Sequence, residues 1–175
     1  MRRRSPALFP VLLALAGCGG APESYSPPPQ RQALVKRPHG LFVNMNDPDV
    51  DEYIAGDTIQ RWLEAGTWRW THEQPQLNFF CDRARPLKFT MDFLLPHENF
   101  AATGPVTISY RVNGRLLAKV RYDTPGAKHF EKPVPAGWIQ SNAPVLFRAD
   151  IDPPWIAPSD HAKLGVVLFR AGFID

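Results

Sequence analysis

Residues 87–95, Leu-Lys-Phe-Thr-Met-Asp-Phe-Leu-Leu, alternate between two characters: Leu87, Phe89, Met91 and Phe93 share one parity, while Lys88, Thr90 and Asp92 share the other. A period of two sends successive side chains to opposite faces of an extended chain, so this stretch has one apolar face and one polar face. A helix would scatter the same residues around its circumference. A half-buried β-strand satisfies both faces. The period returns in 106–122, where two alternating runs flank Asn113-Gly114, and in 144–151, where Val145, Phe147, Ala149 and Ile151 fall together. Residues 163–173 are apolar on both parities, as a central strand covered on both sides should be. Residues 67–71, 76–80 and 40–44 supply earlier strands. Seven or so short strands with turn residues between them predict an all-β chain folded as an antiparallel β-sandwich. One short helix is expected over 57–66, with Asp57 as N-cap and Gly66 as stop, and residues 135–140 could form a single helical turn.

The hairpin around Asn113-Gly114 has a register that burial should decide. A regular two-residue turn sets Tyr110 opposite Leu117 and Ile108 opposite Lys119, which places an apolar face beside a polar one. Because one residue of slip turns every side chain over, that pairing should be rejected. A three-residue loop of Val112, Asn113 and Gly114 instead pairs Tyr110 with Leu116, Ile108 with Ala118 and Val106 with Val120. The three-residue loop is the expectation, and a direct Val112–Arg115 pair would contradict it.

Ahead of the strands lies a different kind of sequence. Arg2, Arg3 and Arg4 precede an apolar segment from Ala7 to Ala16 and then small residues, the build of a secretory signal peptide over 1–17. The segment is shorter than the roughly 20 apolar residues a membrane span needs. Leu15-Ala16-Gly17-Cys18 resembles the bacterial lipobox, which implies cleavage before Cys18 and acylation of that cysteine. Acyl chains on Cys18 would hold the protein on a membrane. Gly19 stands where lipoproteins kept at the inner membrane often carry Asp, so the resemblance implies a cell-envelope, lipid-anchored protein of the outer membrane. Residues 18–38, with Ser-Pro-Pro-Pro-Gln-Arg-Gln at their centre, read as a lipidated cysteine followed by a flexible, disordered proline-rich linker. Residues 39–175 are then one sandwich domain.

Removal of 1–17 takes away three arginines and no acidic residue, so the formal charge of +3 falls to about zero. A neutral mature chain has no electrostatic case for nucleic acid, whose binding rests on neutralised phosphates. With Cys18 acylated, Cys81 has no partner within the chain. It follows an apolar run and is expected to be a buried thiol acting as a small hydrophobe.

Residues 62–79, Trp-Leu-Glu-Ala-Gly-Thr-Trp-Arg-Trp-Thr-His-Glu-Gln-Pro-Gln-Leu-Asn-Phe, resemble the opening of carbohydrate-binding-module-like jelly-roll domains of bacterial envelope and glycosyltransferase-associated proteins. Trp62, Glu64, Arg69, Trp70 and Thr71 sit in that pattern. The stretches at 110–115, 134–139 and 163–169 resemble the group's hairpin, a short segment before a long strand, and its last strand. The resemblance implies a jelly-roll-like sandwich concerned with extracellular polysaccharide, and it implies no catalytic residue.

No Gly-x-Ser-x-Gly elbow, His-Glu-x-x-His or phosphate-cradling glycine loop occurs, so a non-catalytic chain without cofactor or metal is expected. The five histidines are scattered. Asp47, Asp49 and Asp51 alternate as a calcium loop begins, but Glu52 and Thr58 stand where an EF-hand needs Gly and Glu. The five tryptophans carry more information. Trp62 and Trp70 are expected to fill the core or fix the corner before the strand. Trp68 shares a parity with Trp70. Trp138 and Trp155 lie among prolines, where an exposed indole can stack on the C–H face of a sugar while Asp152 or Asp160 accepts hydroxyl hydrogen bonds. The same indoles could instead cap the ends of the sandwich. Trp68, Trp138, Trp155, Asp152 and Asp160 are therefore the candidate ligand-binding residues. The partner is a polysaccharide or, alternatively, another envelope protein docked against a sheet face or edge.

Overall fold

The computed structural model describes residues 40–175; the expected signal peptide, Cys18 and the proline-rich linker lie outside them. Ten strands and two short helices follow in the order β1 (Phe42–Asn44), α1 (Val50–Tyr53), β2 (Arg69–His72), β3 (Gln76–Cys81), β4 (Lys88–Leu95), α2 (His97–Thr103), β5 (Val106–Val112), β6 (Arg115–Tyr122), β7 (Gly126–Pro133), β8 (Ala143–Asp152), β9 (Trp155–Ile156) and β10 (Lys163–Ile174). All strand pairs are antiparallel. One sheet runs β2-β10-β4-β7 and the other β3-β8-β5-β6. The chain crosses between the sheets at six of the nine connections between successive strands, the back-and-forth winding of a jelly-roll-like sandwich. β1 prolongs the line of β2 along one edge of β10, and β9 prolongs β4 along the other, since Leu164 pairs with both His72 and Trp155.

The alternating residues do as their period requires. Phe89, Met91 and Phe93 of β4 are buried, as are Val145, Phe147, Ala149 and Ile151 of β8. Aromatic pairs bridge the two sheets: Phe89 stacks on Phe147 at 4.1 Å and Tyr110 lies parallel to Phe130 at 3.7 Å. Each such ring buried contributes on the order of 2–3 kcal/mol. β10 is central, with partners on both edges and with Leu164 to Leu168 buried throughout. Cys81 is a buried free thiol.

Three expectations are corrected. The hairpin does pair Val112 with Arg115, around a two-residue turn in which Asn113 and Gly114 have φ of 49° and 78°. The clash of faces is resolved instead by a bulge one step further on: Arg111 pairs with Leu116, Tyr110 with Ala118 and Ile108 with Val120. Leu117 is the extra residue, and its burial next to buried Ala118 breaks the alternation of β6. The burial argument was sound, but the strand absorbs the extra residue and the turn does not.

Residues 57–66 form no helix. Their backbone pairs irregularly with β2 and the residue before it, through Ile59–Thr71 and Glu64–Trp68 bridges, and Gln60 N–H donates to Trp70 O at 2.9 Å. The Arg69 guanidinium accounts for the choice, because it takes up the carbonyls of Gln60 and Arg61 that a helix would use internally. Gly66 turns the chain at φ 70°. The helices lie elsewhere, in the acidic segment at α1 and after Pro96 at α2. Residues 135–140 make a turn closed by Trp138 N–H to Pro135 O, not a helical turn. None of the helices among the described residues is long and apolar enough to cross a membrane.

Candidate functional site

Arg69, Trp70 and Thr71 divide their work by parity. Arg69 turns inward, 7% exposed, and its Nε donates to Met45 O at 3.0 Å while its Nη1 reaches Asp51 Oδ1 at 3.2 Å. It ties α1 and the 57–66 segment to β2. Thr71 also turns inward, and its Oγ1 accepts from Val166 N–H at 2.9 Å beside the irregular step in the β2–β10 pairing. Trp70 therefore points outward, away from the space between the sheets.

On that outer face Trp70 meets two further indoles. Trp68 stands edge-on to it at 6.0 Å, and Trp155 of β9 lies nearly parallel at 6.4 Å and 22°. Leu164 and Val167 are buried yet stand apart from the core between the sheets. Leu164 pairs with Trp155 and Val167 with Trp70, so the indoles cover them. Trp62 extends the patch. It is 60% exposed, and its Nε1–H donates to Glu64 Oε1 at 3.3 Å, with Glu64 in turn bridged to Trp68. An aromatic surface thus carries a carboxylate at its margin, and that carboxylate has a second oxygen able to accept.

Of the five candidate residues the fold brings two together, Trp68 and Trp155. Trp138 is remote from them. It sits at the β5–β6 hairpin, where its carbonyl accepts from Asn113 Nδ2 at 2.9 Å and the Arg115 guanidinium lies 5.6 Å over its ring. That is the end where β8 begins, whereas Trp155 follows the end where β8 finishes. Ten residues of β8 separate the two ends, roughly 30 Å of extended chain. Asp152 is exposed at the end of β8 and pairs with Thr107 of β5, in the sheet that does not carry Trp70 and Trp155. Asp160 serves its own loop by accepting from Ala162 N–H at 3.0 Å. Trp62 and Trp70, expected to fill the core or to fix the corner before the strand, do not join the core: Trp62 is exposed and Trp70 is half-buried on the outer face beside that corner. Trp70 faces outward because Arg69 and Thr71 hold the inward parity.

The acidic segment at 47–51 is occupied by local pairing. Asp47 accepts from Asn44 N–H at 2.7 Å, and Asp51 faces Arg69. Among the described residues no group of three His, Cys, Asp or Glu side chains gathers as metal ligands would. Elsewhere on the same outer face Asp92 accepts from His129 and Arg170. Partial burial pushes its carboxyl up, but those two donors outweigh burial and hold it below the ordinary value of 3.8.

No family model matches the chain, and no curated protein matches it. Solved structures do. The chain is similar to a native family 35 carbohydrate binding module from Clostridium thermocellum, at 9% identity over 72% of this chain and 94% of that one, with a TM-score of 0.43. It is similar to the CBM36-1 domain of a multidomain xylanase from the hindgut metagenome of Trinervitermes trinervoides, at 9% identity over 75% and 94%, with a TM-score of 0.44. It is also similar to a family GH115 4-O-methyl-α-glucuronidase with specificity for decorated arabinogalactans, at 11% identity and a TM-score of 0.49. That match covers 86% of this chain and 19% of the glucuronidase, so this chain spans about a fifth of that enzyme's length. Likeness at this level concerns the general run of the strands and transfers no ligand and no residue.

Proposed function

We propose that the protein is a lipid-anchored, non-catalytic module of the cell envelope that binds a polysaccharide through the outer tryptophan face of its β10-centred sheet. The observation that supports this reading is the joined set of Trp68, Trp70 and Trp155 with exposed Trp62 and Glu64 at its margin. Flat indoles held on a rigid sheet match the C–H face of a pyranose ring, and a marginal carboxylate accepts its hydroxyls. Trp155 and Trp70 pair with β10 at Leu164 and Val167, whereas β1, where the described chain begins, pairs at Arg170 to Gly172. The eight residue-to-residue steps from Leu164 to Gly172 span about 26 Å. A domain tethered through its N-terminus would hold Trp155 far from the point of attachment.

The docking reading has less to stand on. Two of the edge strands, β6 and β7, carry Arg115, Lys119 and Arg121 and Lys128, Glu131 and Lys132, the charges that keep an edge from adding a foreign strand. The test is a glycan array probed with the whole protein and with Trp62→Ala. Loss of about tenfold or more in binding with an unchanged melting temperature is expected, because an exposed indole contributes to stacking and little to stability. Binding by Trp62→Ala and Trp155→Ala equal to that of the parent would refute the assignment.

A further inference from the structure

The opposite sheet presents a face of another kind. Ile108, Tyr110, Phe147 and Ala149 take the core side of β5 and β8, so their neighbours point to solvent. The outward set includes Lys119, Arg121, Arg111 and Arg148 against Asp123, Asp150 and Asp152, with Arg121 already paired to Asp123 at 2.7 Å. Cations outnumber acids there, although the chain without its signal segment is close to neutral.

Arg111 and Arg148 stand directly opposite one another across β5 and β8. Two like charges in that position cost stability unless something intervenes. Asp150 intervenes, its Oδ2 accepting from Arg111 Nε at 3.0 Å and its Oδ1 from Arg148 Nε and Nη2 at 2.9 and 2.6 Å. One carboxylate cannot satisfy two guanidinium forks. Arg111 adds only a 3.4 Å bond to Gly114 O, and both side chains remain more than a third exposed, at 37% and 38%. Both arginines line a shallow cavity of about 390 Å³ together with Gln76, Gly114, Leu146 and Asp150.

We propose that this face is a second binding site, for an acidic polysaccharide. A sugar carboxylate seats on the free edges of the Arg111–Arg148 pair, the geometry that guanidinium forks prefer. The Gln76 amide, on the strand beside Arg148, is suited to ring hydroxyls. A nucleic acid fits less well, because Asp150 and Asp152 interrupt the cationic stripe its phosphates would need. The proposal rests on this face alone and stands or falls separately from the tryptophan reading.

The test is affinity electrophoresis of the whole protein in non-ionic detergent micelles, through gels containing polygalacturonate, dextran or polyphosphate. Polygalacturonate is expected to retard the protein, salt to weaken the retardation, and Arg111→Gln and Arg148→Gln each to weaken it about tenfold. Each substitution removes a donor to Asp150, so melting temperatures are read alongside and should fall only slightly at these partly exposed positions, which keeps lost retardation distinct from unfolding. Trp62→Ala should leave this retardation intact, which separates the two sites. Absence of retardation by polygalacturonate, indifference to both substitutions or to salt, or equal retardation by polyphosphate would overturn the proposal.

Discussion

Gly165 shows how little room single positions have. A Cβ there would collide with the Ile151 side chain, the His72 carbonyl and Thr71 Oγ1. Since Thr71 Oγ1 also holds the Val166 N–H, Gly165→Ala should cost on the order of 1–3 kcal/mol, read as a lower midpoint in urea unfolding; an unchanged midpoint would refute the packing described at β10. Asp92 and Asp150 carry a prediction in pH. Burial raises each carboxyl, and the stronger donors, His129 and Arg170 for Asp92 and Arg111 and Arg148 for Asp150, bring both below 3.8. A carboxyl whose folded value lies below its unfolded one stabilises the fold fully above the unfolded value and ceases to as pH falls through the folded one. Unfolding midpoints should therefore hold above about pH 4.5 and drop below it, and Asp92→Asn should flatten part of that drop. A midpoint that rose on acidification would contradict these pairings.

At the scale of elements, the β5–β6 hairpin separates what its sequence reveals from what it hides. The parity conflict between Tyr110 and Leu117 was visible in the residues, and so was the need for one extra residue to relieve it. Where that residue would sit was not, because a turn and a strand bulge relieve the same conflict equally. Gly114 at φ 78° now carries the turn, so Gly114→Ala should cost about 1 kcal/mol; no loss would argue for another turn. Strands with an apolar parity, such as β4, β8 and β10, were legible. β7 was not, since Phe130 alone of its eight residues is buried. Asp57 as N-cap and Gly66 as stop pointed to a helix over 57–66, and the long-range claim of Arg69 on the carbonyls of Gln60 and Arg61 overrode them. α2 did leave a signal: Glu98 in a first turn after Pro96, and Gly104 at the stop.

Over the whole molecule, two sheets carry two outer faces of contrasting chemistry, aromatic on one and cationic on the other. The pairing of Trp68 with Trp70 on one face was legible from parity, whereas the arrival of Trp155 beside them depends on β9 joining β10, which a two-residue strand does not announce. Trp138 was indistinguishable from Trp155 in sequence, both being indoles among prolines, and the fold sends them to opposite ends. Anchoring belongs to this scale too: Cys18→Ser should move the protein from the membrane to the soluble fraction, and mass spectrometry of the membrane-bound form should find acyl chains at Cys18, an unmodified thiol there being the contrary result. The separation of the tryptophans provides the most direct test of glycan binding at the aromatic face. Five indole N–H resonances can be followed by NMR while a glycan selected on the array is titrated into the protein. The signals of Trp62, Trp70 and Trp155 should move together and saturate, with Trp138 staying in place; a bound glycan that shifts Trp138 alone, or none of the five, would contradict the account.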